Sequence, residues 1–413
     1  MARFFSMLDR SLPFLTAASP GGFRIFVLGF TGFFMAREDI TYFSAEYTLA
    51  SFFVMISGIG FATILMKSMA EKESFALFLN YAISSVFIGG GVSIFCLFLI
   101  SYIVPVPDFY SVFVLIVVTS VYQVFRNYLV FKRSFLMLLV NDLLVGIFFV
   151  AVSLVLFLNF GHLDVADVLD LLSVSYSLAL LMMISFMLII KKVRLADGVG
   201  WVSKQSVISS LVVGLSNSAS SGVGFILPSL FVSLGGGDVA IVASLAAAVF
   251  SAMSALPRGM INNNAASLSR MVLVREYSYQ FIIKLKQKIN RLVFVLVPLL
   301  SFLIIFYFYV IGTVSEFWMV IFFVCSFGFN VASGQLGVVE SVLINFCGYE
   351  RLSLYFNAAV FSLIMTLFFI VKYLPSAGEL IFLVYFIPIF LGIVNILRML
   401  WYQKLVKRFF QPC

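Results

Sequence analysis

Residues 134–160 read "SFLMLLVNDLLVGIFFVAVSLVLFLNF", and across the whole run the only charged side chain is Asp142. As a helix rising about 1.5 Å per residue the run is about 40 Å long, more than the ~30 Å of hydrocarbon in a bilayer. A membrane β-strand would be about 9–11 residues of alternating pattern, and no alternation is present. The run is a transmembrane helix.

Eleven further runs of the same kind flank it. The twelve fall near 11–36, 40–66, 75–104, 109–131, 134–160, 165–190, 205–234, 238–257, 289–311, 314–346, 352–374 and 379–401. The chain has 413 residues, 63% hydrophobic and 11% charged, with a mean hydropathy of +1.14. A soluble domain is nearer 45–50% apolar and about 25% charged. The first run is too long for a cleavable signal and lacks a small-residue cleavage pattern. The expectation is an all-α polytopic membrane protein.

The net charge of +8 does not point to nucleic acid, because the bases sit between apolar runs, as orientation signals do. With the N-terminus placed in the cytoplasm, only Arg37 and Lys372 of the 26 lysines and arginines fall outside, while Arg24 and Arg126 stay within runs. Both termini are therefore expected inside. Outer connections such as "PVPD" (105–108) are short, and the longest polar connection is cytoplasmic, from Arg258 to Arg291. Neither side has a soluble catalytic domain. Cys96, Cys325, Cys347 and Cys413 show no paired spacing, and His162 is alone, so no disulfide framework, zinc site or cofactor is expected.

Two halves of six spans, 1–194 and 195–413, carry matching fragments in the same order. "AASPGGF" (17–23) answers "SASSGVGF" (218–225), and "LLVND" (138–142) answers "LYFNA" (354–358), which sets Asn141 opposite Asn357. Six spans per half give both halves one orientation. Their pseudo-twofold then lies along the membrane normal, with a cavity between the halves.

Arg24 lies roughly 20 Å from each end of its span, where an arginine costs about 2.5–3.5 kcal/mol to insert. Pro13, Ala17, Pro20, Gly21, Arg24 and Thr31 share its face at 100° per residue. Pro20 and Gly21–Gly22 are expected to loosen the helix there. Arg24 either meets a wet cavity and binds a diphosphate bidentately or is held by a buried carboxylate such as Glu46 or Asp142. Arg126 either joins that binding or reaches the cytoplasmic headgroups. Arg258 either captures phosphate at the inner entrance or anchors the topology. Asp142 and Glu340 are candidates for H⁺ or Na⁺ coupling, for neutralising arginines, or for interhelical hydrogen bonding. Asn330, Ser333, Gly337, Glu340 and Ser341 form a stripe that must face protein or water. Glu46 belongs to the same set but stands nearer the outer interface. The run 269–291 mixes bases with apolar residues and is suited to lying on the inner surface.

The segment "SGQLGVVESVLINFCGYERLSLYFN" (333–357) resembles the junction of spans 10 and 11 in polysaccharide repeat-unit flippases. "EDITYFSAEYTLASFFVMISGIGFATILMKSMAEK" (38–72) is similar to their second span. The resemblance covers nearly the whole chain in length, span number and orientation. It implies a Wzx-type O-antigen flippase of the multidrug/oligosaccharidyl-lipid/polysaccharide exporter superfamily, with a MATE-like fold, in the bacterial inner membrane. Such proteins move an undecaprenyl-pyrophosphate-linked oligosaccharide to the periplasmic leaflet and work beside a polysaccharide polymerase and a chain-length regulator. A MATE-like drug/cation antiporter would need acids dominating its cavity. A polytopic polymerase or ligase would need a large periplasmic loop.

Overall fold

The computed structural model describes residues 2–71, 74–189, 200–234, 236–274, 278–311, 317–373 and 385–410, and it is helical almost throughout with no strand among them. The helices are α1 (Ala2–Thr31), α2 (Glu38–Met69), α3 (Phe75–Ser101), α4 (Phe109–Phe131), α5 (Phe135–Phe160) and α6 (Val165–Ile189). A pair follows, α7a (Lys204–Ser220) and α7b (Val223–Ser233), and then α8 (Gly237–Val274) and α9 (Tyr279–Ile311). The last are α10 (Phe317–Leu336), α11 (Glu350–Tyr373) and α12 (Ile387–Phe410). Among the described residues eleven helices are long and apolar enough to cross a bilayer. The α7 pair, bent by 57°, makes a twelfth as a broken span. The chain is a multi-pass, all-helical membrane protein.

The helices pack as two compact units, Phe26–Ser244 and Met1–Ile25 with Leu245–Cys413. The boundary expected at 194/195 lies outside the described residues.

Within Phe26–Ser244, two π-helical turns, Met55–Ile59 in α2 and Ser85–Gly89 in α3, interrupt the regular pattern. A π turn shifts the i→i−4 register and leaves carbonyls without their usual donors. In hydrocarbon those groups must be satisfied internally. Serines do this: Ser57 Oγ donates to Phe53 O (3.1 Å), Ser93 Oγ to the same carbonyl (3.4 Å) and Ser85 Oγ to Ser57 O (2.6 Å). The α7 pair lies along α2, where Ser229 Oγ donates to Ala45 O at 2.9 Å and Ser218 Oγ to Phe52 O at 3.4 Å. Glycines let the backbones meet. A Cβ on Gly214 would stand 2.6 Å from Ile56 O, and one on Gly60 would overlap Ser210 O. An aromatic cluster of Phe61, Phe78, Tyr81, Phe125 and Tyr128 fills the interior toward the end assigned to the cytoplasm.

In the other unit α1 packs antiparallel on α8. Gly21 faces Ala252 so closely that a Cβ would overlap its backbone, and Gly259 faces Phe14. The helix is not loosened at Pro20, contrary to the sequence expectation, and α1 runs unbroken. Proline removes the bond to the carbonyl four residues back, here Thr16 O. The Ser19 hydroxyl supplies a donor to that carbonyl at 3.0 Å. The break comes at the matching fragment of the seventh span instead, where Ser221 N and Gly222 N both turn back to Asn217 O. The run 269–291 is not a separate surface helix either. Its described residues extend α8 to Val274 and begin α9 at Tyr279, which continues to Ile311.

Candidate functional site

Asp142, two turns into α5, meets Arg126 of α4 in a two-point ion pair, with Nε to Oδ1 at 3.3 Å and Nη2 to Oδ2 at 3.1 Å. The Tyr122 hydroxyl, one turn earlier on α4, donates to the same Oδ1. The Tyr176 ring of α6 stands edge-on to Tyr122 at 4.8 Å. Arg126 is 7% exposed, so it does not reach the headgroups; Asp142 holds it at its own depth. Of the readings open to Asp142, neutralising an arginine describes its place in this structure. Beside it Asn141 is fully buried, and neither amide atom has a protein partner among the described residues.

Glu46 lies under the outer connection at the end of α2. It is 1% exposed, with Oε1 accepting the backbone N–H of Asp108 at 3.2 Å. Its Oε2 is buried with no hydrogen-bond partner among the described residues. The short outer connection folds over the end of α2, which chain distance from Arg37 does not reveal.

In the other unit the α10 stripe packs on α12 at one residue per turn. Asn330 accepts from Asn395 Nδ2 at 2.9 Å, and Gly334 lies against Asn395 and Gly337 against Met399. Glu340, on the short helix Val338–Phe346 that continues α10, takes Lys286 Nζ at 2.5 Å and Gln403 Nε2 at 3.1 Å on Oε1. The stripe thus faces protein, as its polarity requires in a bilayer.

Arg24 is half-buried on α1 and Arg258 is exposed on α8. Their guanidinium charges lie within Coulombic range of each other. The Gly21–Ala252 and Phe14–Gly259 contacts set the register of the two arginines, whose backbones stand about 13 Å apart along the helices. Thr31 and Gly21 of the Arg24 stripe are buried, while Pro13, Ala17 and Pro20 are half-buried.

A group that sequence reasoning missed is built around Arg398 of α12. Its Nη1 donates to Asn357 Oδ1 (3.0 Å), Asn357 contacts Ser353 Oγ (3.4 Å), and Ser353 pairs with the Tyr402 hydroxyl (2.7 Å). The spacing of Ser353 and Asn357, and of Arg398 and Tyr402, puts each pair on one helix face, a signal that was there to be read. The groove lined by Trp318, Ile321, Phe322, Cys325, Ser326, Phe329 and Ile389 has the chemistry of lipid rather than of sugar.

Solved structures resemble this arrangement along its whole length. A MOP superfamily transporter from Pyrococcus furiosus, with a binding pocket of reversed polarity, aligns over 98% of this chain and 96% of its own at a TM-score of 0.62 and 12% identity. A multidrug resistance MATE family transporter of the same superfamily in its outward-facing conformation gives 0.61 at 14% identity, over 97% and 95%. An inward-facing one gives 0.60 at 14%, over 98% of both. The fold is that of the MOP superfamily transporters. No protein-family model and no curated protein sequence matches the chain.

Proposed function

We propose that the chain is an alternating-access flippase. It carries an undecaprenyl-pyrophosphate-linked oligosaccharide repeat unit, of O-antigen or a related surface polysaccharide, from the cytoplasmic to the periplasmic leaflet of a bacterial inner membrane. The observation that carries this reading is the Arg24–Arg258 pair. Two like charges repel by an amount that grows as the dielectric falls. A diphosphate bridging them offsets that repulsion, because guanidinium groups bind its oxygens bidentately. The sugars ride in a polar cavity and the polyprenyl tail stays in lipid. The polymerase and chain-length regulator are its working partners.

A drug/cation antiporter of the same fold is the second reading, favoured by the MATE structures among its neighbours. The reversed polarity of the Pyrococcus pocket supports a fold in which cavity charge, not architecture, selects the cargo. In a strain lacking the gene, Arg24→Ala is expected to abolish surface polysaccharide and accumulate precursor in the inner leaflet, while Arg24→Lys retains part of the export. Normal polysaccharide from a stably expressed Arg24→Ala protein rejects the flippase site. Cation-driven dye efflux from proteoliposomes holding only this protein establishes the antiporter instead.

A further inference from the structure

Three intramembrane acids compete for the role of the exchangeable site, and the structure separates them. Asp142 is neutralised by Arg126, with Tyr122 as a further donor. Glu340 is neutralised by Lys286. Among the described residues Glu46 has neither ion pair nor side-chain donor: one oxygen accepts a backbone N–H, and the other is buried and bare.

We propose that Glu46 is the proton-binding site of this transporter, with Asp108 as its relay to the outer face. The inference rests on the alternating-access reading but not on the identity of the substrate. An ionised carboxylate buried without a counter-charge carries a desolvation cost of several kcal/mol, and such a group takes up a proton instead. As a carboxylic acid Glu46 keeps an acceptor for Asp108 N–H and gains an O–H that needs far less solvation. When the O–H bond breaks, the proton passes to the Asp108 carboxylate and from there to outer water.

Every charge facing this point is acidic, or distant, or engaged elsewhere. Asp108 itself is half-exposed in the connection between α3 and α4. Burial is the first cause raising its carboxyl above the usual range, followed by the charges of Asp164, Asp170 and Asp39. Asp108 therefore holds a proton to higher pH than an ordinary aspartate, as a relay from a buried acid must. Of the elements packed on the outer half of α2, α3 between Gly90 and Ser101 and α7b contain no charged residue, and the start of α8, where Gly237 meets Thr41, brings the acidic Asp238. The cation of α4, Arg126, is about 25 Å further along its helix and paired with Asp142. α6 brings Asp167 and Asp170, and Asp164 precedes it. On α2 itself Glu38 and Asp39 add negative charge, and the backbone of Arg37 is about 13 Å away along the helix. Among the described residues no group of three His, Cys, Asp or Glu side chains could hold a metal ion.

The test needs no transport substrate. Full-length protein in lipid is titrated and read by infrared difference spectroscopy in the carboxylic C=O region. The wild type is expected to show a protonated carboxyl that titrates above the ordinary carboxylate range. Glu46→Gln removes that band, Glu46→Asp keeps it at a shifted frequency, and Asp108→Asn slows its loss after a pH jump. The Glu46→Asp arm keeps the test usable if Glu46→Gln fails to fold. A titrating band unchanged in Glu46→Gln, an unshifted band in Glu46→Asp, or no protonated carboxyl in the wild type overturns the proposal. Because the proton is the only probe, these results stand apart from any failure of the flipping assay.

Discussion

Arg126 and Arg24 are both arginines placed at membrane depth, yet the two units treat them in opposite ways. In Phe26–Ser244 the guanidinium is matched by Asp142 and Tyr122 and sealed at 7% exposure. In the other unit Arg24 has a second guanidinium, Arg258, within range of its charge. A matched pair holds helices together, because removing either member leaves a buried charge. Two guanidinium groups within range of one another repel instead, which is the arrangement the proposed diphosphate site uses. The difference teaches that an intramembrane arginine is read by its neighbours, not by its depth.

The comparison breaks most visibly at the matched pair. Arg126→Ala leaves Asp142 buried without its cation and is expected to cost about 3–5 kcal/mol. Thermal unfolding in detergent would show it as a large fall in Tm, and Arg126→Met with Asp142→Leu should recover most of the loss. If Arg126→Ala leaves Tm intact but stops transport, the two arginines are alike after all.

Arg258→Ala sharpens the other side. It is expected to lower transport by about 10–100-fold, the worth of a charge-assisted hydrogen bond of about 1.5–3 kcal/mol, with Tm unchanged. A double-mutant cycle with Arg24→Ala should be strongly non-additive if both bind one diphosphate. Additive losses would assign them to separate tasks.

Gly21→Val tests the crossing that brings these arginines together. The added side chain overlaps Ala252, and overpacking is expected to cost about 1–3 kcal/mol and to reduce transport with it. Smallest is Ser19→Ala, which removes the donor to Thr16 O below Pro20. The expected loss is about 0.5–1.5 kcal/mol, seen as faster hydrogen exchange around residues 16–20. No change there would mean that the proline is tolerated for another reason.

Much of the fold was legible because lipid imposes it. The twelve apolar runs reappear as eleven spanning helices and one broken pair, since a segment with the length and composition of 134–160 has no other stable state in a bilayer. The α10 stripe was legible for the same reason. Kink position was less so: Pro20 looked like the weak point, but a single hydroxyl repairs its missing bond, and the seventh span bends where Gly222 and Asn217 meet. The sequence places Glu46 near the outer end of its span but does not show that it is buried. Burial there depends on the 102–108 connection closing over the helix end, which no count along α2 contains.

The sequence by itself determined that this chain is a bundle of membrane-crossing helices, which residues carry charge into hydrocarbon, and which faces cannot meet lipid. Those follow from transfer free energy and helical periodicity, both local properties of the chain. Tertiary structure alone decided the partners: Asp142 for Arg126, Lys286 for Glu340, Arg258 for Arg24, and none but a backbone amide for Glu46. A charge interacts through space and falls off with distance, so its chemistry is set by residues that the chain order leaves far apart.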